Sequence, residues 1–481
     1  GLAAINLLRD LREGLVTFDA AGDLAPGVAS EWQIFDGGKR YVFTLRPDAR
    51  WSNGDRLTSG DFVHAWRLAL SPGTSAVTAG LLGGLLNAGA VLNGHLPAEE
   101  LGVSALADDR LQVVLTEPAP WFLEILAHPV SFPLYAAPAD ASATQGQGPE
   151  PVNGAFELAE WTPRSSIRLR RNPAFHAVSE VATEKVEYYP IEEPATELAR
   201  YRAGELDITE TIPAGRFSWL EENLPAELHV SPYLGSFWLG LNMNNAELRS
   251  SADLRQALAL AVNREILVRV VLGAGERVAF GVVPPGMPGY TPQEMPLASA
   301  SQTEREAEAR RLYSLAGFDG DHPLRLELRY NTSGVHRRIA VAVASMWKQV
   351  LGVNTELINE EWKVFVNNRR LGAITQVFRG GWIADFADPS SFLDLFISGN
   401  DLNTTFYSDT VFDGLMAKAV KLSGSARMRV LQQAETHVIE AMPVIPLYYY
   451  VSRHLVSPGV RGFTDNVRDI HLSRYLSKDQ P

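Results

Sequence analysis

The amino-acid sequence predicts an α/β fold, because strand and helix patterns alternate through its C-terminal half. Residues 324–330 alternate apolar and charged side chains, as expected of a strand with one buried face, and residues 353–358 are interpreted as a second strand. Helix patterns at residues 303–316, 335–351 and 360–370 lie before, between and after these strands. Such an alternation is typical of a sheet covered by helices.

Two of these helices have clear ends in the sequence. The charged helix at residues 303–316 ends at Gly317, and the helix at residues 335–351 ends at Gly352. Glycine is favoured there because the residue after a helix commonly takes a left-handed conformation. The second helix also has an apolar face at helical spacing, formed by Ile339, Val343, Met346 and Val350.

The N-terminal half mixes hairpins with isolated helices. Residues 41–45 predict a strand, and the Asn-Gly pair at 53–54 predicts a tight turn. Thr58 and Asp61 form a capping-box pattern, which indicates a helix that runs to about Ala69. Residues 101–116 predict a short helix or turn followed by a strand. Residues 139–154 predict a long loop.

The composition excludes several classes of protein. Of the 481 residues, 46% are hydrophobic and 21% are charged, which is ordinary for a globular chain long enough for two or three domains. The net charge of −13 argues against a general binder of nucleic acid or of anionic membranes. Because there is no cysteine, disulfides, thiol catalysis and cysteine-based metal sites are excluded. No apolar run is long enough to span a bilayer.

The sequence also lacks the common catalytic and cofactor motifs. It contains no Walker loop, no dinucleotide-binding glycine motif after a strand, no His-Glu-x-x-His and no Gly-x-Ser-x-Gly. The ten histidines are scattered, and no pair has metal-ligand spacing on one helix. This pattern favours a binding protein over an enzyme.

Residues 380–393 place two carboxylates close together in an aromatic setting. Asp388 is followed by Pro389, and we interpret it as the N-cap of a helix with proline at its first position. Asp385 has no such local role, and no cation lies near it in the sequence. A carboxylate in partly apolar surroundings needs a cationic partner, which a bound amine could supply.

Five segments, in order along the chain, resemble the substrate-binding proteins of oligopeptide ABC importers, which are family 5 extracellular solute-binding proteins. These segments are RDLREGL with LAPGVASEW (residues 9–32), FTLRPDARWSNG with LTSGDF (residues 43–62), DLRQAL with NRE and PPG (residues 253–286), GGWIADFADPSSFL (residues 380–393) and VIPLYYYV (residues 444–451). One such match alone would be weak evidence. Five ordered matches across nearly the whole length make the resemblance strong.

The resemblance implies a two-lobe periplasmic binding protein fold, class II-like, in which two α/β lobes close on the ligand about a hinge. It also implies an extra N-terminal subdomain packed on the first lobe. We therefore assign lobe I to residues 1–13, 136–237 and 453–481, the extra subdomain to residues 14–135, and lobe II to residues 238–452.

The resemblance further implies that the protein captures short peptides between its lobes and delivers them to the membrane permease of an ABC transporter. Such a protein would be periplasmic, or extracytoplasmic and membrane-associated if it carries a lipid anchor. We expect a monomer that is not an enzyme and has no cofactor, no metal and no nucleic-acid partner. No signal peptide is visible at Gly1, so either it has been removed or the numbering starts inside the mature protein.

Residue by residue, the resemblance places both charged ends of a peptide. Asp385 matches the carboxylate that binds the peptide amino group. His336, Arg369 and Arg379 match positions that receive the peptide carboxylate, for which a guanidinium fork is well suited. The peptide backbone and the side-chain pockets are matched by Gly381, Trp382, Ile383, Trp362, Tyr450, Asn331, Asn403 and Thr404.

Several of these residues have a structural alternative. Arg369, which neighbours Arg370, could belong to a solvated helix face, and His336 could belong to a helix start. Trp362 and Trp382 could be core aromatics. Their positions inside matching segments favour the binding roles.

The sequence departs from the family at positions that shape the pocket. Relatives carry a disulfide, one cysteine of which falls at Ile383, and a tyrosine that lies over their ligand has no counterpart in the glycine-rich residues 74–90. Peptide length and sequence preference are therefore not transferred by the resemblance.

Three alternatives remain at this stage. The first is a binder of a narrower ligand, such as a dipeptide, a murein peptide, an antibiotic precursor or a compound without a peptide bond. The second is a hydrolase on the same fold, which would need a nucleophile and a base that no motif supplies. The third is a ligand-sensing regulator, for which the chain has no spare length.

Overall fold

The computed structural model describes residues 2–74, 79–136, 150–213 and 215–479. The chain divides into two compact units: Gly1–Thr209 with Leu455–Pro481, and Glu210–His454. The assignment of two lobes and a subdomain stays a prediction, and its boundary between residues 237 and 238 falls inside a strand of the second unit. Most of the loop predicted at residues 139–154 lies outside the described residues.

The helices of the described residues are α1 (Leu2–Leu11), α2 (Ser59–Ala69), α3 (Ala88–Leu92), α4 (Phe122–Ile125), α5 (Pro194–Arg202), α6 (Phe217–Asn223), α7 (Ala246–Ser250), α8 (Ala252–Leu260), α9 (Arg264–Ile266), α10 (Gln302–Leu315), α11 (Gly334–Leu351), α12 (Trp362–Arg370), α13 (Ser390–Leu393), α14 (Thr410–Val420) and α15 (Gly424–Ala441). A π-helical turn, Leu267–Leu272, follows α9. Within the described ranges, every helix is too short or too polar to cross a membrane.

The strands of the same residues are β1 (Val16–Phe18), β2 (Leu24–Pro26), β3 (Ala29–Phe35), β4 (Arg40–Leu45), β5 (Val103–Ala107), β6 (Arg110–Val114), β7 (Phe156–Thr162), β8 (Ser166–Arg171), β9 (Lys185–Tyr188), β10 (Leu228–Leu241), β11 (Arg277–Val278), β12 (Arg325–Asn331), β13 (Asn354–Glu360), β14 (Val377–Ile383), β15 (Val444–Leu455), β16 (Val460–Arg461) and β17 (Ser477–Lys478).

The first unit contains a four-stranded antiparallel sheet in the order β3-β4-β6-β5 and a three-stranded sheet in the order β7-β8-β9. β4 confirms the strand predicted at residues 41–45. The capping box of α2 is also confirmed, because the Thr58 N–H donates to Asp61 Oδ2 at 2.8 Å. The prediction for residues 101–116 was wrong in part: β5 and β6 pair as a hairpin where a short helix or turn and one strand were expected.

The second unit is built on a six-stranded mixed sheet with the order β11-β15-β10-β14-β12-β13. β12 runs parallel to both β13 and β14, whereas β10 runs antiparallel to β14. α10 precedes β12, and α11 and α12 connect β12 to β13 and β13 to β14. This order confirms the α/β prediction for the C-terminal half. Because β12, β13 and β14 are mutually parallel, their carboxyl ends lie at one edge of the sheet.

Helices pack on both faces of this sheet. Leu328 of β12 and Val377 of β14 lie in the main core together with Trp347 of α11. Phe378, which follows Val377 and so points to the other face, packs in a smaller cluster with Phe365 of α12. The two faces of β14 therefore pack in different clusters, one with α11 and one with α12.

The predicted boundaries in this unit need small corrections. α10 begins after Ser301, whose hydroxyl caps its first turn, and α11 ends at Gly352 in a left-handed conformation with φ of 76°, as predicted. β13 continues to Glu360, so α12 begins later than predicted, with the carboxylate of Glu361 as its N-cap.

Candidate functional site

All of the predicted site residues lie in the second unit. They are Asn331 at the end of β12, His336 in α11, Trp362 and Arg369 in α12, Arg379, Gly381, Trp382 and Ile383 in β14, Asp385 just after β14, Asn403 and Thr404 before α14, and Tyr450 in β15. Most of them are at or beyond the carboxyl ends of parallel strands, which is where α/β proteins commonly bind their ligands.

β14 has an open edge along most of its length. β12 pairs with β14 only at Val377 and Phe378. Residues 379–383 continue β14 and pair with β10 on one side, from Arg379 opposite Leu239 onward. On the other side, no strand from the described part of the chain pairs with this stretch. We call residues 379–383 the open edge.

The hydrogen-bond phase of β14 determines which backbone groups the open edge presents. The Ala384 N–H donates to the Leu234 carbonyl at 2.8 Å, and this bond continues the register between β10 and β14. In an antiparallel pair, every second residue bonds to the partner strand, so the even-numbered residues of β14 bond to β10. The N–H and C=O groups of Arg379, Gly381 and Ile383 therefore point away from β10, where an added strand could pair with them.

Gly381 keeps the open edge close to Tyr450. A Cβ atom at position 381 would lie 3.0 Å from the Ser236 carbonyl oxygen and 3.1 Å from the Tyr450 hydroxyl, so any larger residue would displace one of them. The same hydroxyl lies 3.5 Å from Nη2 of Arg379, and burial raises the pKa of Tyr450, which keeps the phenol neutral. The face of β14 that carries positions 379, 381 and 383 thus borders Tyr450.

Arg369 and Arg379 form a cationic pair without a carboxylate partner among the residues that the structure describes. The Nε atom of each is buried and makes no hydrogen bond. Their guanidinium groups lie instead over aromatic rings, Arg369 at 5.7 Å from the Phe365 centroid and Arg379 at 5.2 Å from the Phe237 centroid. Burial, followed by repulsion from Arg379, lowers the pKa of Arg369 to about 10. Two partly buried cations without a counter-ion favour the binding of an anion.

His336 lies beside these arginines but is uncharged at neutral pH. Burial, followed by repulsion from Arg379, lowers the pKa of His336 to about 4. Its Nδ1 atom is buried and has no hydrogen-bond partner, and its ring lies 5.7 Å from the ring of Phe237. The sequence predicted a cation here. At neutral pH the imidazole is uncharged, and its single N–H is directed to the Asn331 backbone. The contact of His336 with a carboxylate therefore stays a prediction.

Asp385 is an exposed residue, and no cation from the part of the chain that the structure describes pairs with its carboxylate. Its pKa is raised by desolvation alone, although its exposure to solvent limits the size of that shift. Within the described ranges, no side chain forms an ion pair with it, which agrees with the lack of a local cation in the sequence. An ammonium group at this carboxylate would reverse the rise in its pKa.

The turn that carries Asp385 is held by an ion pair that sequence reasoning missed. The prediction of Asp388 as the N-cap was wrong by one residue, because α13 begins at Ser390 with Pro389 as its N-cap residue. Asp388 Oδ1 still accepts from the Ser390 N–H at 2.9 Å, just before the helix. Asp388 also forms a bidentate ion pair with Arg427 of α15, with distances of 2.5 Å and 2.9 Å, and both side chains are buried. Arg427 is 39 residues away in sequence, so no local pattern indicated it.

Ser391 connects this turn to the pocket wall. Its Oγ accepts from the Trp382 indole at 3.3 Å and from the Asp385 backbone N–H at 3.2 Å. Ser391 is itself buried, and its N–H donates to the Asp388 carbonyl at 3.0 Å. The indole and the backbone of the candidate amine site are therefore fixed by one oxygen atom.

The remaining predicted residues divide into two groups. Asn331 is buried with an Oδ1 atom that has no hydrogen-bond partner, and Trp362 is 48% exposed, so neither is an ordinary core residue. Asn403 is buried, and its side-chain amide donates to the Tyr407 carbonyl at 2.8 Å within its own loop. Its contacts give Asn403 a structural role there, and Thr404 beside it is partly exposed.

A helix-covered sheet with an open strand edge, and with charges of opposite sign near the two ends of that edge, is an arrangement suited to a solute-binding protein. The family model described as "Bacterial extracellular solute-binding proteins, family 5 Middle" matches residues 23–404. The chain belongs to this family.

Individual relatives match over nearly the whole chain. The chain is 36% identical over 470 residues to the periplasmic oligopeptide-binding protein OppA of Escherichia coli, covering 96% of this chain and 86% of that protein. It is 36% identical over 482 residues to the probable deoxycholate-binding periplasmic protein YgiS of Escherichia coli, covering 98% of this chain and 89% of that protein. A solved structure of the periplasmic murein tripeptide binding protein MppA, in an unliganded open form, matches with a TM-score of 0.87 and 32% identity, covering 99% of this chain and 93% of that one.

Proposed function

We propose that this protein binds a short peptide as an added strand on the open edge of β14 and delivers it to an ABC transporter permease. In this proposal Asp385 binds the peptide ammonium, and Arg369 and Arg379 bind its carboxylate, with the neutral His336 side chain beside them. The observation that carries the proposal is the open edge itself, because its outward backbone groups lie between unpaired charges of opposite sign.

The positions of the charges give the peptide a direction. Arg379 lies at the start of the open edge and Asp385 follows its end, so a peptide with its ammonium at Asp385 runs antiparallel to β14. At about 3.3 Å per residue, the open edge spans about 13 Å, which is the length of a few extended residues. Main-chain pairing of this kind gives affinity without fixing the peptide's sequence.

The energetics of the site also favour a zwitterionic ligand. Arg369 and Arg379 bear a desolvation cost that no carboxylate within the described residues offsets, and the peptide carboxylate would offset it. At the other end, the peptide ammonium would pair with Asp385. Each end group thus provides a charge that the described residues do not supply.

The relatives support this proposal and also provide its main competitor. OppA and MppA are named for peptides, whereas YgiS is named as a probable binder of deoxycholate, a carboxylate without an amine. A ligand of that kind would use the arginines and leave Asp385 without a partner. We therefore favour a peptide, and we extend the proposal to a periplasmic or otherwise extracytoplasmic binding protein that is monomeric and has no enzymatic activity.

The test removes each terminal charge of the peptide, and each matching charge of the site, in turn. Native mass spectrometry of the freshly purified protein first identifies bound species, and a spread of peptide masses is expected. Calorimetry then uses one such peptide, or tetra-alanine, in its free, N-acetylated and C-amidated forms. Either modification is expected to weaken binding by more than about tenfold, because a charged hydrogen-bond partner is lost.

Variants assign each loss to a residue. Asp385→Asn is expected to weaken binding of the free peptide and to make binding insensitive to N-acetylation. Arg379→Gln is expected to make binding less sensitive to C-amidation than in the wild type, because Arg369 remains. Asp321→Asn and Arg370→Gln are the matched controls, because these charges are exposed and make no side-chain contacts within the described ranges. A single non-peptide adduct, or tight binding of deoxycholate that Asp385→Asn leaves unchanged, would overturn the proposal.

A further inference from the structure

The turn between β14 and α13 contains one hydroxyl with two unusual partners. The Oγ of Ser391 accepts both the Trp382 indole N–H, at 3.3 Å, and the Asp385 backbone N–H, at 3.2 Å. Trp382 belongs to the strand and Asp385 follows it, so this oxygen joins the end of the open edge to the start of the turn. The hydroxyl of the neighbouring Ser390 is also buried but has no hydrogen-bond partner.

The position of Ser391 is itself fixed from the helix side. Its N–H donates to the Asp388 carbonyl at 3.0 Å, and the Asp388 carboxylate is held by both nitrogens of the Arg427 fork. A bidentate pair fixes orientation as well as distance. The turn is therefore attached to α15 by a rigid, buried connection that does not include Asp385.

The Asp385 carboxylate has no such support of its own. Within the described residues, no donor or cation contacts it, so its direction depends on the backbone to which it is attached. The bond from its own N–H to Ser391 is what fixes that backbone. A carboxylate that must meet an ammonium needs such support, because small displacements weaken a charged hydrogen bond.

From these contacts we propose that Ser391 is the positioning residue of the amine site, held in place by the Asp388–Arg427 pair. This inference rests on the proposed function, since it assigns to Ser391 the orientation of the residue that binds the peptide ammonium. Ser391 acts on the ligand through the backbone of Asp385, and it need not touch the ligand itself.

The test uses the ratio of affinities for one peptide in its free and N-acetylated forms. Ser391→Ala is expected to lower the affinity for the free peptide by about fivefold to tenfold. Its affinity for the N-acetylated peptide is expected to stay within about twofold of wild type. Ser390→Ala is the matched control, because it removes an adjacent buried hydroxyl that has no partner. It is expected to change neither affinity. Unchanged binding of the N-acetylated peptide also shows that the variant is folded.

The outcomes separate this inference from the proposed function. If Ser391→Ala weakens both peptide forms equally, or neither, while Asp385→Asn removes the preference for a free amine, then Ser391 is not the positioning residue and the amine site stands. If Asp385→Asn leaves that preference intact, Asp385 does not bind the peptide ammonium and the proposed function is contradicted, whatever the effect of Ser391→Ala. Loss of the preference in both Asp385→Asn and Ser391→Ala supports both.

Discussion

Arginines in the second unit differ in whether a carboxylate pairs with them. Arg427 is buried and meets both oxygens of Asp388, whereas Arg369 and Arg379 are partly buried and meet aromatic rings without a carboxylate from the described residues. Burying a cation is costly in either case. The paired arginine recovers that cost within the fold. The unpaired arginines leave it unrecovered, which is the physical signature expected of a ligand site and not of a structural one.

Removing the paired arginine, Arg427, should have the largest effect, and that effect should be on stability. Arg427→Met leaves the buried Asp388 without its cation, so we expect the free energy of unfolding to fall by about 3–5 kcal/mol. Chemical denaturation measures this, with Arg370→Met as an exposed control that should change little. A loss below about 1 kcal/mol would mean that Asp388 is already satisfied by the Ser390 N–H, and the contrast between the two groups would be lost.

Removing one unpaired arginine should change binding and spare stability. Arg369→Gln takes away a cation whose pKa burial and Arg379 lower to about 10, so we expect no decrease in the free energy of unfolding. Affinity for a peptide with a free carboxylate should fall by about tenfold, or about 1.4 kcal/mol. Calorimetry with free and C-amidated peptides checks this against Arg370→Gln. A destabilised protein with unchanged affinity would place Arg369 among the structural arginines.

The smallest effect concerns pH. Asp385 binds an ammonium only as a carboxylate, and desolvation raises its pKa above 3.8. As the pH falls through that raised value, protonation of Asp385 should lower the affinity for the free peptide. The decline should begin at a higher pH than for an ordinary aspartate. The N-acetylated peptide should not show this decline. His336, whose pKa is about 4, lies with the arginines at the carboxylate end of the site, so its protonation should affect both peptide forms alike. Equal pH profiles for both peptides would contradict the assignment of Asp385.

Much of the second unit could be predicted from the sequence because its signals are local. The apolar faces of α11 and β12 and the glycine after α11 depend on residues only a few positions apart. The boundary of α12 was wrong because Glu360 pairs with Asn331 in the sheet, and tertiary pairing overrides a local helix pattern.

The features that define the site were harder to predict because they depend on distant partners. The open edge exists because β12 stops pairing with β14 after Phe378, and its phase depends on β10, which lies far away in the sequence. The Asp388–Arg427 pair spans 39 residues, and the neutral state of His336 depends on burial. The site residues themselves came from the resemblance, and their roles stay predictions.

The shortness of the open edge has a consequence for self-association. Strands with unpaired edges are places where other protein molecules can add, and natural proteins usually protect them. Here the unpaired stretch is limited to residues 379–383, with Arg379 at its start and Asp385 just beyond its end. A segment from the middle of another folded chain would bring neither a terminal ammonium nor a terminal carboxylate to these charges. If the edge binds peptides as proposed, it favours chain ends over internal segments of whole proteins.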